Sequence, residues 1–461
     1  MFSRDTYVAR RAALMSEFEG GLLLFLGNHD SPMNYADNPY HFKQDSTFLY
    51  YFGLDQAELG AIIDVDAGSA TIFGDELTID YIVWMGDLPT IAERAERVGV
   101  ADTQPRSAMA EILGRAVQAG RAVHFLPPYR AEAKLQLMDL LGISPEESQT
   151  EASEQLIRAV VSQRNYKSEE EVAEIEKAVA TSVSMHEAAI RMARPGMREV
   201  EISAEVERIA MAAGGSAAFP VIATINGQTL HNHFHGNTIS EGDLFLLDTG
   251  AQTPSGYAGD LTTTFPVSPA FTEQQRSVYE IMLSAYDAAV AALAPGVPNR
   301  EVHFTACRAI FEGMKALGIM KGDTEGALEA GAHAMVMPHG IGHMMGMDVH
   351  DMENLGESFV GYAGEERSTQ FGLKSLRLTR PLEPGFVLTI EPGIYFIPQL
   401  IDLWEAEGRL AEFIDYDELN KWRDFGGVRN EEDYLITSEG ARRLGPRKPQ
   451  TVQELEGLRQ S

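Results

Sequence analysis

The residues best suited to chemistry in this chain are four carboxylates and one histidine, each in its own short sequence context. They are Asp248, Asp260, His343, Glu391 and Glu431. Four carboxylates and one imidazole can hold two divalent cations a few ångströms apart, and such a pair activates a water molecule between them. The set therefore predicts a metal-dependent hydrolase with a two-metal centre.

The two aspartates lie near the ends of two predicted strands. Residues 243–248 (DLFLLD) predict a strand that ends at Asp248, and residues 257–266 (YAGDLTTTFP) predict the next strand, which contains Asp260. A Pro-Ser-Gly turn between them favours a hairpin, which would bring the carboxylates together across the ladder. Adjacent carboxylates repel each other unless a cation lies between them. The pair alone also fits two ordinary aspartates in a turn region.

Three histidines, His339, His343 and His350, lie in the glycine-rich run 338–351 (PHGIGHMMGMDVHD). Glycines allow a backbone to pack closely against a site, because they carry no side chain. A lone histidine is usually structural. Three in twelve positions with acidic neighbours favour a functional site.

The two glutamates follow a similar pattern. Glu391 ends the apolar run VLTIE, and a buried unpaired carboxylate is costly, so it needs a cation or a proton. Glu431 lies in GGVRNEED (426–433), where strand alternation places Arg429 on its face and Glu432 on the opposite face.

The elements that position these residues fall into two predicted domains. Residues 1–158 alternate between strands and helices, which predicts an α/β domain with a parallel or mixed sheet. Its predicted strands cover 21–26, 60–65, 70–73 and 81–84, and a helix covers 107–119.

Residues 159–461 form the second predicted domain, where Ser168 and Glu171 form a capping box at the start of a long helix. The segment 193–210 resembles 294–311, with an Arg-Glu-Val sequence in each, 102 positions apart (300 − 198). Two such halves facing each other would form a cleft on a pseudo-twofold axis.

Composition limits the class of protein. A chain of 461 residues predicts two domains. Its formal net charge of −31 argues against binding to nucleic acid. No apolar run is long enough for a membrane span and no secretory signal pattern starts the chain, so we expect a cytoplasmic location. The single cysteine, Cys307, excludes an intrachain disulfide and is predicted to be a buried thiol on a helix rather than a nucleophile.

Five ordered motifs carry a family resemblance. The segments LLDTGA, GDLTTTFP, HGIGHMMGMDVHD, TIEPGIY and GGVRNEED resemble the proline-specific metallopeptidases of the pita-bread fold, the prolidase and aminopeptidase P family. The N-terminal HFKQDSTFLYYFGLDQAELGAIIDV resembles the smaller domain of that family. The resemblance implies an α+β protein. It would have a creatinase-like α/β domain (1–158) and a pita-bread catalytic domain (159–461) with an antiparallel sheet backed by helices.

The resemblance also implies a ligand set. Asp248 and Asp260 would chelate one metal, Asp260 and Glu431 would bridge both, and His343 with Glu391 would complete the other. Manganese is the usual ion in the family, with cobalt or zinc as alternatives, and oxygen-rich ligation is consistent with manganese. Glu391 would also carry a proton during catalysis. The spacing of Asp248 and Asp260 is 12 (260 − 248), one more than the family resemblance implies, which predicts an extra residue in the turn at 253–255.

Substrate contacts are implied in the same way. His231, His339 and His350 match histidines that face the substrate, and Arg429 matches an arginine that supports the carboxylate ligands. The substrate would be a small peptide with proline at its second position. A homodimer is the family expectation.

Two features favour an Xaa-Pro dipeptidase (prolidase). Arg377 lies where prolidases hold an arginine for the terminal carboxylate of the substrate, which a guanidinium binds bidentately. The spacing of 40 residues between Glu391 and Glu431 (431 − 391) also resembles prolidase. The alternative is an Xaa-Pro aminopeptidase that acts on longer peptides, with Arg377 on the surface.

Other classes fit less well. The Asp-Thr-Gly at 248–250 suggests an aspartic protease, but that mechanism needs two such aspartates. With a single Asp-Thr-Gly in the chain, the enzyme would have to be a dimer. His231, His233 and His235 alternate as on a strand of a barrel amidohydrolase, but eight strand–helix repeats are missing. A non-catalytic pita-bread binding protein would have lost metal ligands, whereas all five positions are present here.

Overall fold

The computed structural model describes residues 2–460. They divide into two compact units. The first contains the residues up to Arg164 together with Met352–Phe359, and the second contains Asn165–Asp351 and the chain from Val360 onward. The domain boundary at 158 stays a prediction. Among residues 2–460, no helix is both long and apolar enough to cross a lipid bilayer.

Several helices begin where a side chain caps their first N–H groups, and several end at a glycine with positive φ. In chain order they are α1 (Arg4–Met15), α2 (Ser46–Phe52), α3 (Ile79–Met85), α4 (Ile91–Arg97), α5 (Ala108–Gln118), α6 (Ala131–Leu141), α7 (Glu154–Arg164), α8 (Glu169–Met192), α9 (Glu199–Ala212), α10 (Glu273–Ala292), α11 (Asn299–Ala316), α12 (Thr324–Ala330), α13 (Glu357–Val360), α14 (Pro398–Ala406), α15 (Tyr416–Leu419) and α16 (Val452–Gln460). Short 3₁₀ turns lie at Ala332–Met335, Glu353–Leu355, Leu373–Ser375 and Asn420–Trp422.

The strands are short and mostly buried. In chain order they are β1 (Leu22–Leu26), β2 (Gly60–Asp64), β3 (Ser69–Phe73), β4 (Asp102–Gln104), β5 (Val123–Phe125), β6 (Ser216–Ala217), β7 (Ile222–Thr224), β8 (Leu244–Thr249), β9 (Ala251–Gln252), β10 (Leu261–Pro266), β11 (Val387–Ile390), β12 (Gly393–Tyr395), β13 (Gly427–Arg429), β14 (Glu432–Thr437) and β15 (Gly440–Arg443).

The first unit is built on one mixed sheet in the order β4-β3-β2-β1-β5. The pairs β1–β2 and β2–β3 are antiparallel, whereas β1–β5 and β3–β4 are parallel. Its core packs strand residues such as Leu24 and Ile62 against Met109 and Leu113 of α5 and Leu137 of α6. The α/β prediction for this part of the chain is therefore confirmed, with a mixed sheet.

One predicted strand is wrong. Residues 81–84 lie in α3, where the Thr78 hydroxyl accepts the N–H of Tyr81 and caps the helix. A short apolar run fits a helix or a strand equally well when periodicity is the only guide. Trp84 is 84% exposed, so this segment is not the buried strand that its apolar composition suggested.

The second unit contains antiparallel sheets with helix pairs. Two three-stranded sheets have the orders β10-β8-β7 and β11-β14-β15, and β12–β13 and β6–β9 form separate two-stranded sheets. An antiparallel bridge between Thr262 and Glu431 connects β10 to the chain that enters β14. The predicted capping box of Ser168 and Glu171 is confirmed at the start of α8.

The internal repeat is present, but its offset is 100 residues rather than 102. Gly196 and Gly296 (296 − 196) occupy equivalent turns with φ of 91° and 83°. Gly196 N–H donates to the carbonyl of Ile239, and Gly296 N–H donates to that of Leu382. The two Arg-Glu-Val segments are therefore not structurally equivalent. The two repeats align through their glycine turns and not through this shared tripeptide.

Candidate metal centre

The two aspartates are positioned by neighbouring antiparallel strands. β8 pairs with β10 so that Thr262 lies opposite Asp248, and Asp260 immediately precedes β10. The predicted strand pairing is confirmed. The backbone N–H of Asp260 donates to Oδ2 of Asp433 over 3.0 Å, which holds the start of β10 against β14. Asp248 and Asp260 are both buried and both line one cavity.

His343 and Glu391 are positioned by one backbone pairing. The N–H of Thr389 in β11 donates to the carbonyl of His343 over 3.0 Å, and the N–H of Glu391 donates to that of Ile341 over 2.8 Å. A Cβ at Gly342 would lie 1.9 Å from the carbonyl oxygen of Thr389. Only glycine allows this close approach, which explains the glycine-rich run.

The imidazole of His343 is oriented by its own backbone neighbour. Nδ1 lies 3.1 Å from the carbonyl oxygen of Met344, so Nδ1–H donates there. Nε2 then faces Oδ2 of Asp260 at 3.4 Å and Oε1 of Glu391 at 3.9 Å. This tautomer presents the Nε2 lone pair to the carboxylates, as a metal-ligating histidine requires.

Glu431 and Arg429 are held by Thr262 from the neighbouring strand. The Thr262 hydroxyl donates to Oε2 of Glu431 over 2.7 Å and accepts the Nε–H of Arg429 over 3.1 Å. Arg429 also donates to Oδ2 of Asp248 over 2.5 Å and to the Tyr395 hydroxyl over 2.8 Å. The Arg429 side chain therefore bridges the strands that carry the carboxylates.

The predicted alternation at the end of β13 is also correct. Glu432 faces away from Glu431, and its Oε2 accepts the hydroxyl of Tyr286 over 2.6 Å.

The electrostatics of the cluster favour cations. Ligand atoms of Asp260, His343 and Glu431 lie within 4.8 Å of one another. Burial raises the pKa of Asp260, and the charge of Asp248 raises it further. Burial and neighbouring carboxylates likewise raise the pKa of Glu391 and of Glu431. Four carboxylates share this region, and Oδ1 of Asp260 is buried without a hydrogen-bond partner among residues 2–460.

Divalent cations would offset this repulsion and would satisfy the Asp260 oxygen. Carboxylate oxygens with one imidazole nitrogen form a hard ligand set of the kind that suits Mn²⁺. The residues present therefore fit the predicted metal centre.

The cluster lies at the wall of a cavity of about 610 Å³. This volume is typical of a site for a small molecule. The remaining wall contains apolar and basic residues, among them Phe219, Ile222, Val349, Phe371 and Arg377. All lie in the second unit.

The predicted substrate-facing histidines line this same cavity. His339 donates from Nδ1 to the carbonyl of Gly340 (2.7 Å), and its Nε2 lies 2.9 Å from the Tyr395 hydroxyl. Burial lowers the pKa of His339 to about 3, so the ring is neutral. The ring of His350 lies 4.4 Å from that of His343, and burial lowers the pKa of His231.

The strand that was predicted to carry His231, His233 and His235 is absent. Residues 225–237 form turns and irregular chain rather than a strand. His231 and His233 line the cavity, whereas His235 points its Nε2 to the carbonyl of Val221 at 3.0 Å. The alternation of these histidines therefore does not reflect a strand at this position.

Two residues at the site were not found by sequence reasoning. Thr262 and Tyr395 make no distinctive pattern of their own, although both lie inside motifs that the ligands identify. The run of three threonines at 262–264 was the available signal. Buried polar side chains on a central strand need partners, and a carboxylate centre supplies them.

Two family models match the chain. Residues 7–124 match the aminopeptidase P N-terminal domain, and residues 173–438 match metallopeptidase family M24. The Xaa-Pro dipeptidase of Homo sapiens is 30% identical over 95% of this chain and 88% of its own length. The Xaa-Pro aminopeptidase of Escherichia coli is 29% identical over 99% of this chain and 98% of its own length.

Solved structures of aminopeptidases have the same fold as this chain. The aminopeptidase PepP of Pseudomonas aeruginosa superposes with a TM-score of 0.82 at 29% identity, covering 100% of this chain and 98% of that chain. Zinc-substituted Escherichia coli aminopeptidase P in complex with product gives 0.81 at 27% identity, covering 99% and 98%. The predicted family and its two-part fold are confirmed. The chain belongs to metallopeptidase family M24 and carries an aminopeptidase P N-terminal domain.

Proposed function

We propose that the protein is an Xaa-Pro dipeptidase that holds two divalent cations, manganese in the native state, and hydrolyses the bond before proline. The peptidase chemistry follows from the carboxylate cluster. The choice of a dipeptidase is carried by one observation, which is that Arg377 lines the same cavity as the carboxylates. Its charge also acts on Glu391.

Asp248, Asp260, His343, Glu391 and Glu431 would hold the cations. When bound, the cations supply an activated water and positive charge next to the scissile carbonyl. The carboxylate of Glu391 accepts a proton from the attacking water. It passes this proton to the proline nitrogen as the peptide bond before proline breaks.

The histidines act on the substrate. His350 and His231 orient the carbonyl from the cavity wall, and the neutral His339 is held by Tyr395. The apolar side chains of the wall would enclose the proline ring and exclude water. Arg429 holds Asp248 in place through the hydrogen bond described above.

Arg377 would limit the length of the substrate. A guanidinium binds a carboxylate through two parallel hydrogen bonds, so it recognises a free C-terminus one residue beyond the scissile bond. A longer peptide would place an amide there and leave its terminal carboxylate elsewhere.

An Xaa-Pro aminopeptidase is the second candidate. It is favoured by the coverage of the relatives, since the match spans 98% of the Escherichia coli aminopeptidase but 88% of the human dipeptidase. A cytoplasmic location and a homodimer stay predictions from the sequence and the family resemblance.

The test compares three substrates with manganese present, namely Ala-Pro, Ala-Pro amide and Ala-Pro-Ala, each with and without a chelator. A dipeptidase cleaves Ala-Pro much faster than the amide, and Arg377→Gln removes this difference mainly through KM. Arg380→Gln is the matched control, because Arg380 pairs with Glu383 (2.7 Å) and is not among the residues that line the cavity.

Efficient cleavage of Ala-Pro-Ala would instead support the aminopeptidase. If no substrate is cleaved in a chelator-sensitive manner, the protein is a non-catalytic relative or acts on another class of substrate.

A further inference from the structure

A second cluster of metal-ligating side chains lies in the same unit as the peptidase site, and the proposed mechanism does not use it. His303 and Cys307 lie one turn apart on α11, and His333 lies in the 3₁₀ turn Ala332–Met335. All three are 0% exposed. Residues four apart on a helix present their side chains on one face, so His303 and Cys307 are directed to the same point.

The distances suit a single small cation. One ligand atom from each of the three residues lies within 4.8 Å of the other two, and Sγ of Cys307 is 3.4 Å from Nε2 of His303. Two atoms bound to one tetrahedral zinc lie roughly 3.5 Å apart, given the usual Zn–N and Zn–S bond lengths. The pair on α11 already has this spacing, and the ligand atom of His333 lies within 4.8 Å of both.

His333 provides an independent indication of a ligand. Neither of its ring nitrogens has a hydrogen-bond partner among residues 2–460, although the side chain is fully buried. Buried polar atoms are nearly always paired, so an orphan imidazole needs an explanation. A contact between the Cys307 thiol and His303 satisfies those two residues but leaves His333 without a partner.

The protonation states are compatible with a metal. Burial lowers the pKa of His333 to about 4 and lowers that of His303 well below its ordinary value, so both rings keep a lone pair at neutral pH. Burial raises the pKa of the Cys307 thiol, so binding of a cation would have to release its proton.

We propose that His303, Cys307 and His333 form a structural zinc site. One thiolate and two imidazoles are borderline ligands that suit Zn²⁺, whereas the carboxylate centre suits Mn²⁺. The tetrahedral preference of zinc leaves one position for a further donor. The site would tie α11 to the 3₁₀ turn that leads to Val336, whose carbonyl accepts the N–H of Tyr395 over 2.8 Å.

Cobalt substitution tests the proposal without an activity assay. Cys307 is the only cysteine in the chain, so a thiolate-to-cobalt charge-transfer band in the near-ultraviolet can arise only from this cluster. The full-length protein is produced in minimal medium with cobalt replacing zinc. We expect the band in the wild type and in an Asp260→Asn, Glu431→Gln double variant, and its loss in His333→Gln.

A parallel preparation in zinc medium measures bound metal. The wild type should retain a stoichiometric zinc that Cys307→Ser lacks, and Cys307→Ser should melt at a lower temperature. Absence of the band from folded wild-type protein, together with no extra zinc, would overturn the proposal. Neither measurement depends on the proposed peptidase function.

Discussion

Replacing Thr262 by valine tests whether the carboxylate centre depends on the strand residue behind it. Thr262 is fully buried on β10, and its hydroxyl links Oε2 of Glu431 (2.7 Å) to Nε of Arg429 (3.1 Å). Valine has the same shape but lacks the hydroxyl. The variant therefore removes one hydrogen bond from a buried carboxylate and one from a buried guanidinium without creating a large cavity.

The magnitude follows from these two lost contacts. A hydrogen bond to a charged group contributes about 1.5–3 kcal/mol, so the free energy of unfolding should fall by about 3 kcal/mol or more. Loss of a side chain that orients a metal ligand typically costs about 10- to 100-fold in metal affinity or activity. We expect kcat/KM to fall by that factor and more manganese to be needed for half-maximal rate.

Thr263→Val is the matched control. Thr263 is equally buried on the same strand, but its hydroxyl lies 2.9 Å from Nδ1 of His186 on the opposite face. It should lose about 1 kcal/mol of stability and keep its activity. The assays are urea unfolding and initial rates on Ala-Pro across manganese concentrations. Wild-type kcat/KM in Thr262→Val, or an equal loss in both variants, would refute the reasoning.

Two further predictions concern the metal and acid stability. Asp260→Asn with Glu431→Gln should abolish activity and manganese binding together, and added manganese should raise the melting temperature of the wild type only. His186 is fully buried, and burial lowers its pKa from 6.5 to about 3. Its contribution to stability is therefore complete above pH 6.5 and is lost as the pH falls towards 3. From pH 6 to 4 the wild type should lose roughly 2–3 kcal/mol more than His186→Gln in urea unfolding.

Each of these has a clear contrary result. A double variant that still binds manganese by metal analysis would show that the ligand assignment is wrong. Parallel stability curves for the wild type and His186→Gln between pH 6 and 4 would show that His186 does not stay neutral in the folded protein.

The elements with strong local signals were predictable. The capping boxes at Ser168 and Thr272 start α8 and α10, because a hydroxyl and a glutamate or glutamine three residues later satisfy the first N–H groups. The apolar runs 60–65 and 243–248 contain β2 (Gly60–Asp64) and most of β8 (Leu244–Thr249), because a short apolar run suits a buried strand. These signals depend on neighbours in the sequence and need no knowledge of the fold.

Some errors arose where the deciding contact lies outside a short sequence window. Residues 231–235 form no strand, and His235 instead places its Nε2 3.0 Å from the carbonyl of Val221. The offset of the repeat was misplaced because Gly196 and Gly296 align through backbone bonds to Ile239 and Leu382. The error at 81–84 has a local origin, because Thr78 caps a helix there and a short apolar run does not distinguish a helix from a strand.

The candidate site divides in the same way. The sequence by itself determined which side chains can act as ligands. Each lies next to a short apolar strand or in a glycine-rich run, where a buried polar side chain is costly unless it has a partner. Only the tertiary structure decided how they are held. Thr262 joins Glu431 to Arg429, Arg429 reaches Asp248, and Nε2 of His343 faces Asp260. Such contacts join residues more than eighty positions apart, so strand pairing, not local preference, creates them.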